Sequence, residues 1–355
     1  MKVLYLFNSV IHGTEKLEKI AKGVSNDNSF LGMLRLRKHG FETSYIEIEQ
    51  YVPLWFANFL RKHIFNIWWI HLPLFPFLLR HDVIISSTAY GSLLVKSLLH
   101  IKRPKWIMVD FNISGSIGNA ETIKQKVFRW TVSKCDGIVA ISEAEEKKLK
   151  EIFPHLKDNI IFLREGVDSN YFKPMKATEH TDDYILSVGL DPSRDFKTLI
   201  EATKNLDIKV KLATKPSMIK EFEPLSKKYF CKKYDIGEMP ALFANAKIVV
   251  NGLNIKPNSN DSMGTFSVAE AMSMGKAVIV TRTNSFASYI EDGVTGVFVN
   301  PHDVENMRSE IQKLLKDEEK RKKIEINARN FIVNYVDAEL FAENLAKYIK
   351  KIYNN

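Results

Sequence analysis

The chain is poor in cysteine: its 355 residues include only Cys135 and Cys231, far apart in sequence. Two such residues build neither a disulfide framework nor a zinc-ligand spacing, and they point to a reducing, cytoplasmic setting. Low-complexity tracts and internal repeats of about 20–50 residues are also missing, which argues against solenoids and large disordered regions. So are long apolar runs. The N-terminal run from Met1 to Phe7 is too short for a signal peptide and reads as a first buried strand. Residues 51–79 are rich in aromatics, but Arg61, Lys62, His63 and His71 interrupt them and Pro53, Pro73 and Pro76 break them. A membrane-spanning helix needs about 20 mostly apolar residues, and this segment fails that test. No zinc spacing, helix-turn-helix signal or RNA-binding aromatic motif is present, so a nucleic-acid partner is not expected.

What is present is an ordinary globular composition, 45% hydrophobic and 26% charged, in a chain long enough for two domains. The net charge of +9 suits phosphorylated ligands or anionic lipid without choosing between them. The aromatic and basic stretch 51–80, above all Trp68 and Trp69, reads as an acceptor-binding surface or a peripheral contact with an anionic membrane.

Short apolar strands alternate with amphipathic helices along the chain. Strands are predicted at 2–8, 43–48, 82–87, 105–112, 137–142 and 159–164, with helices at 30–39, 90–100, 121–134 and 143–153. The polar stretch 171–183, with Pro174, reads as a linker. Strands then resume at 184–188, 209–213, 247–251, 277–281 and 297–300. Helices are predicted at 196–205, 217–228, 239–245 and 265–274, and three more close the chain at 303–316, 318–335 and 338–353. The pattern is α/β, with two Rossmann-like, doubly wound parallel sheets in series. Such sheets bind ligands at the carboxyl ends of their strands, and two units facing each other form a central cleft.

The most informative segment is 257–280, PNSNDSMGTFSVAEAMSMGKAVIV. A polar loop ends at Gly264 and feeds a helix beginning near Thr265, whose free N–H groups suit a diphosphate. Glu270, one to two turns into that helix, can accept two hydroxyl hydrogen bonds, as a ribose offers.

The run AEAMSMGKAVIVT resembles the donor-site signature of the GT-B-fold retaining glycosyltransferases of family 4 (glycosyl transferases group 1). Further matches lie in Arg164-Glu165-Gly166-Val167-Asp168 with Phe172 and Pro174, and in Ser187-Val188-Gly189 followed by Arg194-Asp195-Phe196. Glu291-Asp292-Gly293-Val294-Thr295-Gly296 and Ala140-Ile141-Ser142 add to them. The resemblance covers nearly the whole chain and is stronger in its second half. It implies a GT-B fold: residues 1–172 as an acceptor-binding domain, 173–335 as a nucleotide-sugar-binding domain, and 336–355 as a helix crossing back to the first. It also implies a hexosyltransferase that moves a sugar from a UDP- or GDP-type donor to a glycan or lipid-linked acceptor with retention, as in polysaccharide biosynthesis. Neither a metal nor a cofactor is implied, and the place of work is the cytoplasm, at the inner face of the membrane.

Residue by residue, the resemblance puts Arg194 on the donor phosphates in place of the usual lysine. Gly13, Gly189, Ser262, Gly264, Thr265 and Glu270 join it around the donor. Asp110, beside Asn112 at a strand end, takes the place near the transferred sugar. Three departures stand out. Leu190 occupies the place of a second basic residue, for which Arg282 is a substitute. Ser262 stands eight positions before Glu270, where the family has its first glutamate, with Asp261 next to it as the replacement carboxylate. Glycine and glutamate are missing after Thr281. A catalytically degenerate homologue that binds a partner protein is the alternative these departures leave open.

Overall fold

The computed structural model describes residues 1–7, 13–63, 68–87, 89–119, 121–176, 183–222, 225–255 and 264–355. They form two compact units. The first comprises Met1–Lys22, Asp27–Leu163 and Glu339–Asn355; the second comprises Gly23–Asn26 and Arg164–Ala338.

In the first unit, β1 (Lys2–Leu6), β2 (Glu42–Ile46), β3 (Val83–Ser86), β4 (Lys105–Asp110), β5 (Gly137–Ala140) and β6 (Ile160–Phe162) form one parallel sheet in the order β2-β1-β3-β4-β5-β6. Alternation along each strand sends successive side chains to opposite faces. Val3, Tyr5, Val83, Ile85, Ile107 and Val139 pack on one face, and Leu4, Leu6, Ile84, Trp106, Met108 and Ile138 on the other. Both faces are buried at the centre of the sheet, which is why β3 and β5 are almost wholly apolar. Phe341, Leu345, Ile349 and Ile352 of the last helix, Ala338–Asn354, belong to the first of these cores.

The second unit repeats the plan. β7 (Tyr184–Val188), β8 (Lys209–Ala213), β9 (Tyr229–Cys231), β10 (Ala246–Asn251), β11 (Val278–Thr281) and β12 (Val297–Val299) are parallel, in the order β12-β11-β10-β7-β8-β9. Ile185, Val210, Leu212, Ile248 and Ile279 line one face; Tyr184, Leu186, Val278 and Val280 line the other.

Three local expectations are corrected. The helix read at 30–39 is a short helix, Met33–Leu36, between two 3-10 turns, because Leu31 and Gly32 take left-handed backbone angles (φ +48° and +75°). The helix read at 217–228 is replaced by 3-10 turns at Pro216–Met218 and Lys220–Phe222 and by the edge strand β9; residues 223 and 224 lie outside the described residues. The stretch 171–183 does not begin as a linker: Phe172 is fully buried in the second unit's core, and residues 177–182 lie outside the described residues. The division between units accordingly falls after Leu163 rather than after Phe172. The physical reason is that Val167 bridges Asp337 and packs with Phe172 against the second sheet.

Candidate functional site

The second sheet reverses its chain order between β7 and β10. The carboxyl ends of those strands flank the crevice where open α/β sheets bind ligands. β7 leads into Gly189, and helix Thr265–Ser273 starts after Gly264 (φ +94°). A Cβ on Gly189 would stand 2.0 Å from Nε of Arg194, and one on Gly264 would stand 2.5 Å from its Nη1. The guanidinium therefore lies close against both glycine backbones.

The turn that carries Arg194 is closed by Asp191, whose Oδ1 accepts from the Ser193 N–H at 2.7 Å. It is tied to the loop after β10 by Asn254 N–H to Ser193 carbonyl at 2.7 Å and Asp195 N–H to Gly252 carbonyl at 3.0 Å. Arg194 then reaches Asn251, the last residue of β10: Nη1 donates to Asn251 Oδ1, and Nη2 donates to Ser267 Oγ at 3.3 Å. Asn251 Nδ2 donates to the Gly264 carbonyl at 3.4 Å and to Ser267 Oγ at 3.2 Å. Among the described residues no carboxylate forms an ion pair with this guanidinium, and its Nε has no acceptor. Burial draws its pKa down to about 10, against the opposing pull of Asp191. A cation held by neutral acceptors beside a helix N-terminus is suited to receive an anion. A cavity of about 600 Å³ reaches the same arginine, bordered by Lys197, Thr198, Asn254 and His302.

Glu165 lies under this helix start. Its carboxyl is buried, Oε2 accepts from Thr265 Oγ1 at 2.8 Å, and Oε1 has no partner among the described residues. Its own N–H donates to the Tyr289 hydroxyl at 2.9 Å. Burial raises the Glu165 pKa to about 7, with the Thr265 hydroxyl opposing. Glu270 is half-buried on the same helix, and its charge helps to raise the pKa of the Tyr171 hydroxyl, behind the larger effect of burial.

Three comparisons bear on this arrangement. An uncharacterized glycosyltransferase of Methanocaldococcus jannaschii is 24% identical over 258 residues, 70% of either chain. Two solved structures share the fold over nearly all of both chains at 15% identity. They are sucrose-phosphate synthase from Thermosynechococcus elongatus (TM-score 0.75, covering 100% of this chain and 99% of that one) and Anabaena HepE in complex with UDP and glucose (TM-score 0.70, 99% of each). The chain has the GT-B fold. Residues 171–331 match the family described as glycosyl transferases group 1. The second unit carries a glycosyl transferases group 1 segment.

That segment contains Gly189, Arg194, Gly264, Thr265 and Glu270, and the structure brings all but Glu270 into contact around one guanidinium or one helix start. Asp261 and Ser262 lie outside the described residues. The Arg282 guanidinium pairs with Asp292 and lies 4.3 Å from the Phe298 ring centre. Sequence reasoning passed over Asn251 and Ser267. An asparagine ending an apolar strand immediately before the group 1 loop was the available signal.

In the first unit, Gly13 opens helix Gly13–Ala21, and a Cβ there would overlap the Tyr45 hydroxyl. Asp110 ends β4 but faces inward. Oδ1 accepts from the N–H groups of Asn112 (2.9 Å) and Ile113 (2.5 Å), and Oδ2 has no hydrogen-bond partner among the described residues. Burial and the neighbouring Glu145 carboxylate raise its pKa to about 8. Asp110→Ala is expected to destabilise the fold by about 2–4 kcal/mol, because the buried Ile113 N–H and the part-buried Asn112 N–H lose their acceptor. A urea titration followed by circular dichroism measures this, and an unchanged midpoint would contradict the buried role. Trp68 and Trp69 are half-buried. Trp68 stacks on Phe128 at 5.4 Å, Trp69 packs on Gly91, and both line an apolar cavity of about 330 Å³. No helix among the described residues is long and apolar enough to cross a membrane.

Proposed function

We propose that the chain transfers a hexose from a nucleoside-diphosphate sugar to a glycan or lipid-linked acceptor, with retention of configuration and without a metal. The observation that carries this reading is the guanidinium of Arg194. It has no carboxylate partner among the described residues and lies between Gly189 and Gly264 at the switch point of the second sheet. In the transfer the acceptor hydroxyl oxygen forms a new bond to the sugar C1 as the bond from C1 to the diphosphate oxygen breaks; the electron pair stays on that oxygen, which takes up the hydroxyl proton. Arg194 and the N–H groups opening helix Thr265–Ser273 meet the growing negative charge. Glu270 holds the ribose hydroxyls. HepE, similar in fold, was solved with UDP and glucose, which favours a UDP-type donor. The Trp68–Trp69 cavity would hold the apolar part of a lipid-linked acceptor, presented at the cytoplasmic face of a membrane.

Glu270→Ala is expected to lower kcat/KM for the donor by about tenfold to a hundredfold, the worth of two hydroxyl hydrogen bonds. Release of nucleoside diphosphate from UDP- and GDP-sugars, with and without EDTA, measures this and tests metal independence. NMR of the product anomer tests retention. Ser262 and Leu190, at positions where the family has charged residues, favour a second reading, a degenerate homologue that binds a partner protein. Wild-type protein that binds nucleoside diphosphate but releases none from any sugar donor would move the weight to that reading.

A further inference from the structure

Helix Ile123–Val132 lies on the first unit and is pinned at its start. Thr122 Oγ1 accepts from the Gln125 N–H at 3.2 Å, and Gln125 Oε1 accepts from the Thr122 N–H at 3.0 Å. Its inner face is anchored by Phe128, Thr131 and Val132, all buried. Its outer face is unusual: Ile123, Val127 and Trp130 are 81%, 45% and 40% exposed. Spaced i, i+4 and i+7, they form one apolar stripe. Lys124, Lys126 and Arg129 stand exposed around it, the Lys134 ammonium lies 5.5 Å from the Trp130 ring centre, and the helix contains no acidic residue.

We infer that this outer face docks the protein on an anionic phospholipid leaflet. An exposed apolar stripe flanked by Lys124, Lys126, Arg129 and Lys134, with Glu121 exposed just before the helix, is what an interfacial helix presents, since the side chains enter the acyl boundary while the cations meet the headgroups. A protein partner is disfavoured by size. Three side chains on a ten-residue helix fall well short of the roughly 800 Å² per partner that a stable protein interface buries. Helix Leu54–His63 also exposes aromatics, notably Trp55, but Arg61 on it is paired with Glu49, which neutralises that cation. The inference deepens the lipid-linked acceptor proposed above and rests on it for its purpose, while its test needs no sugar donor.

The experiment is co-sedimentation of the full chain with vesicles of phosphatidylcholine alone and of phosphatidylcholine mixed with phosphatidylglycerol. The wild type is expected to bind the mixed vesicles, to release with added salt, and to bind the neutral ones weakly. Ile123→Ser with Trp130→Ser, and separately Lys126→Glu with Arg129→Glu, are each expected to reduce partition by about tenfold or more. Circular dichroism establishes that both variants fold, and because the substituted side chains are exposed, loss of fold is not expected. Wild type that ignores mixed vesicles, or folded variants that bind them as well as wild type, would overturn the inference. So would a wild-type dimer, seen by sedimentation equilibrium, that the serine variant dissolves, since the stripe would then be covered by a second copy. Vesicle binding lost in the variants while sugar transfer is absent in every protein would sink the transferase reading and leave the docking surface standing.

Discussion

Replacing Arg194 by alanine is expected to weaken binding of the preferred nucleoside diphosphate about a hundredfold or more. The guanidinium is already oriented by Asn251 and Ser267, so little ordering remains for a bound phosphate to impose. A charge-assisted hydrogen bond contributes about 1.5–3 kcal/mol, and two parallel ones in a half-buried site exceed the roughly 2.7 kcal/mol that a hundredfold change requires. Arg194→Lys keeps the charge but loses the planar fork and is expected to recover only part of the affinity. Calorimetric titration with UDP, GDP and ADP reads both variants. Equal affinity in wild type and Arg194→Ala would remove the main support for the donor site, whereas binding of one base over the others would name the donor class.

The second large effect concerns Glu165. In the native protein its carboxyl keeps its proton to about pH 7, whereas the ordinary value is 4.5. The native state therefore holds more protons than the unfolded chain between those values. The contribution of this group to stability is greatest below about pH 4.5 and falls by about 3 kcal/mol as pH rises to about 7. Glu165→Gln cannot ionise and can still accept from Thr265, so its stability should decline less over that range and exceed wild type above about pH 7. Asp110, also raised by burial, acts in the same direction, so the informative quantity is the difference between variant and wild type at each pH. Urea unfolding at about pH 5 and pH 8 measures it; parallel pH profiles would show that Glu165 is ionised in the native state. Donor affinity should follow the same titration, since an ionised Glu165 beneath Thr265 puts negative charge beside the N–H groups proposed to meet the diphosphate.

Much of the fold was legible because the central parallel strands are buried on both sides and so appear as short apolar runs: 184–188 is the observed β7. β9 was not, because it is a half-exposed edge strand next to Lys227, Lys228, Lys232 and Lys233, where burial imposes no apolar pattern. The helix read at 30–39 failed for a different reason. Its periodicity is helical, but the left-handed angles at Leu31 and Gly32 are set by packing, with Phe341 lying 3.2 Å from where a Gly32 Cβ would be. At the site, Arg194 and its two glycines were visible through their motif, yet the contact between them was not, since Gly189 and Gly264 are 75 positions apart in sequence.

Composition and periodicity alone determined the α/β class and two serial sheets, because alternation of apolar strands and amphipathic helices is a local property of the chain. They also placed a glycine before the helix at Thr265, because a helix start has local requirements. Only the tertiary structure decided which charges are free and which are spent. Arg194 lacks a carboxylate partner among the described residues, Arg282 is tied to Asp292, and Glu165 and Asp110 are buried acids rather than surface ones. The physical reason is that desolvation and pairing depend on which distant segments meet. A sequence records the charge of a side chain but not the dielectric around it.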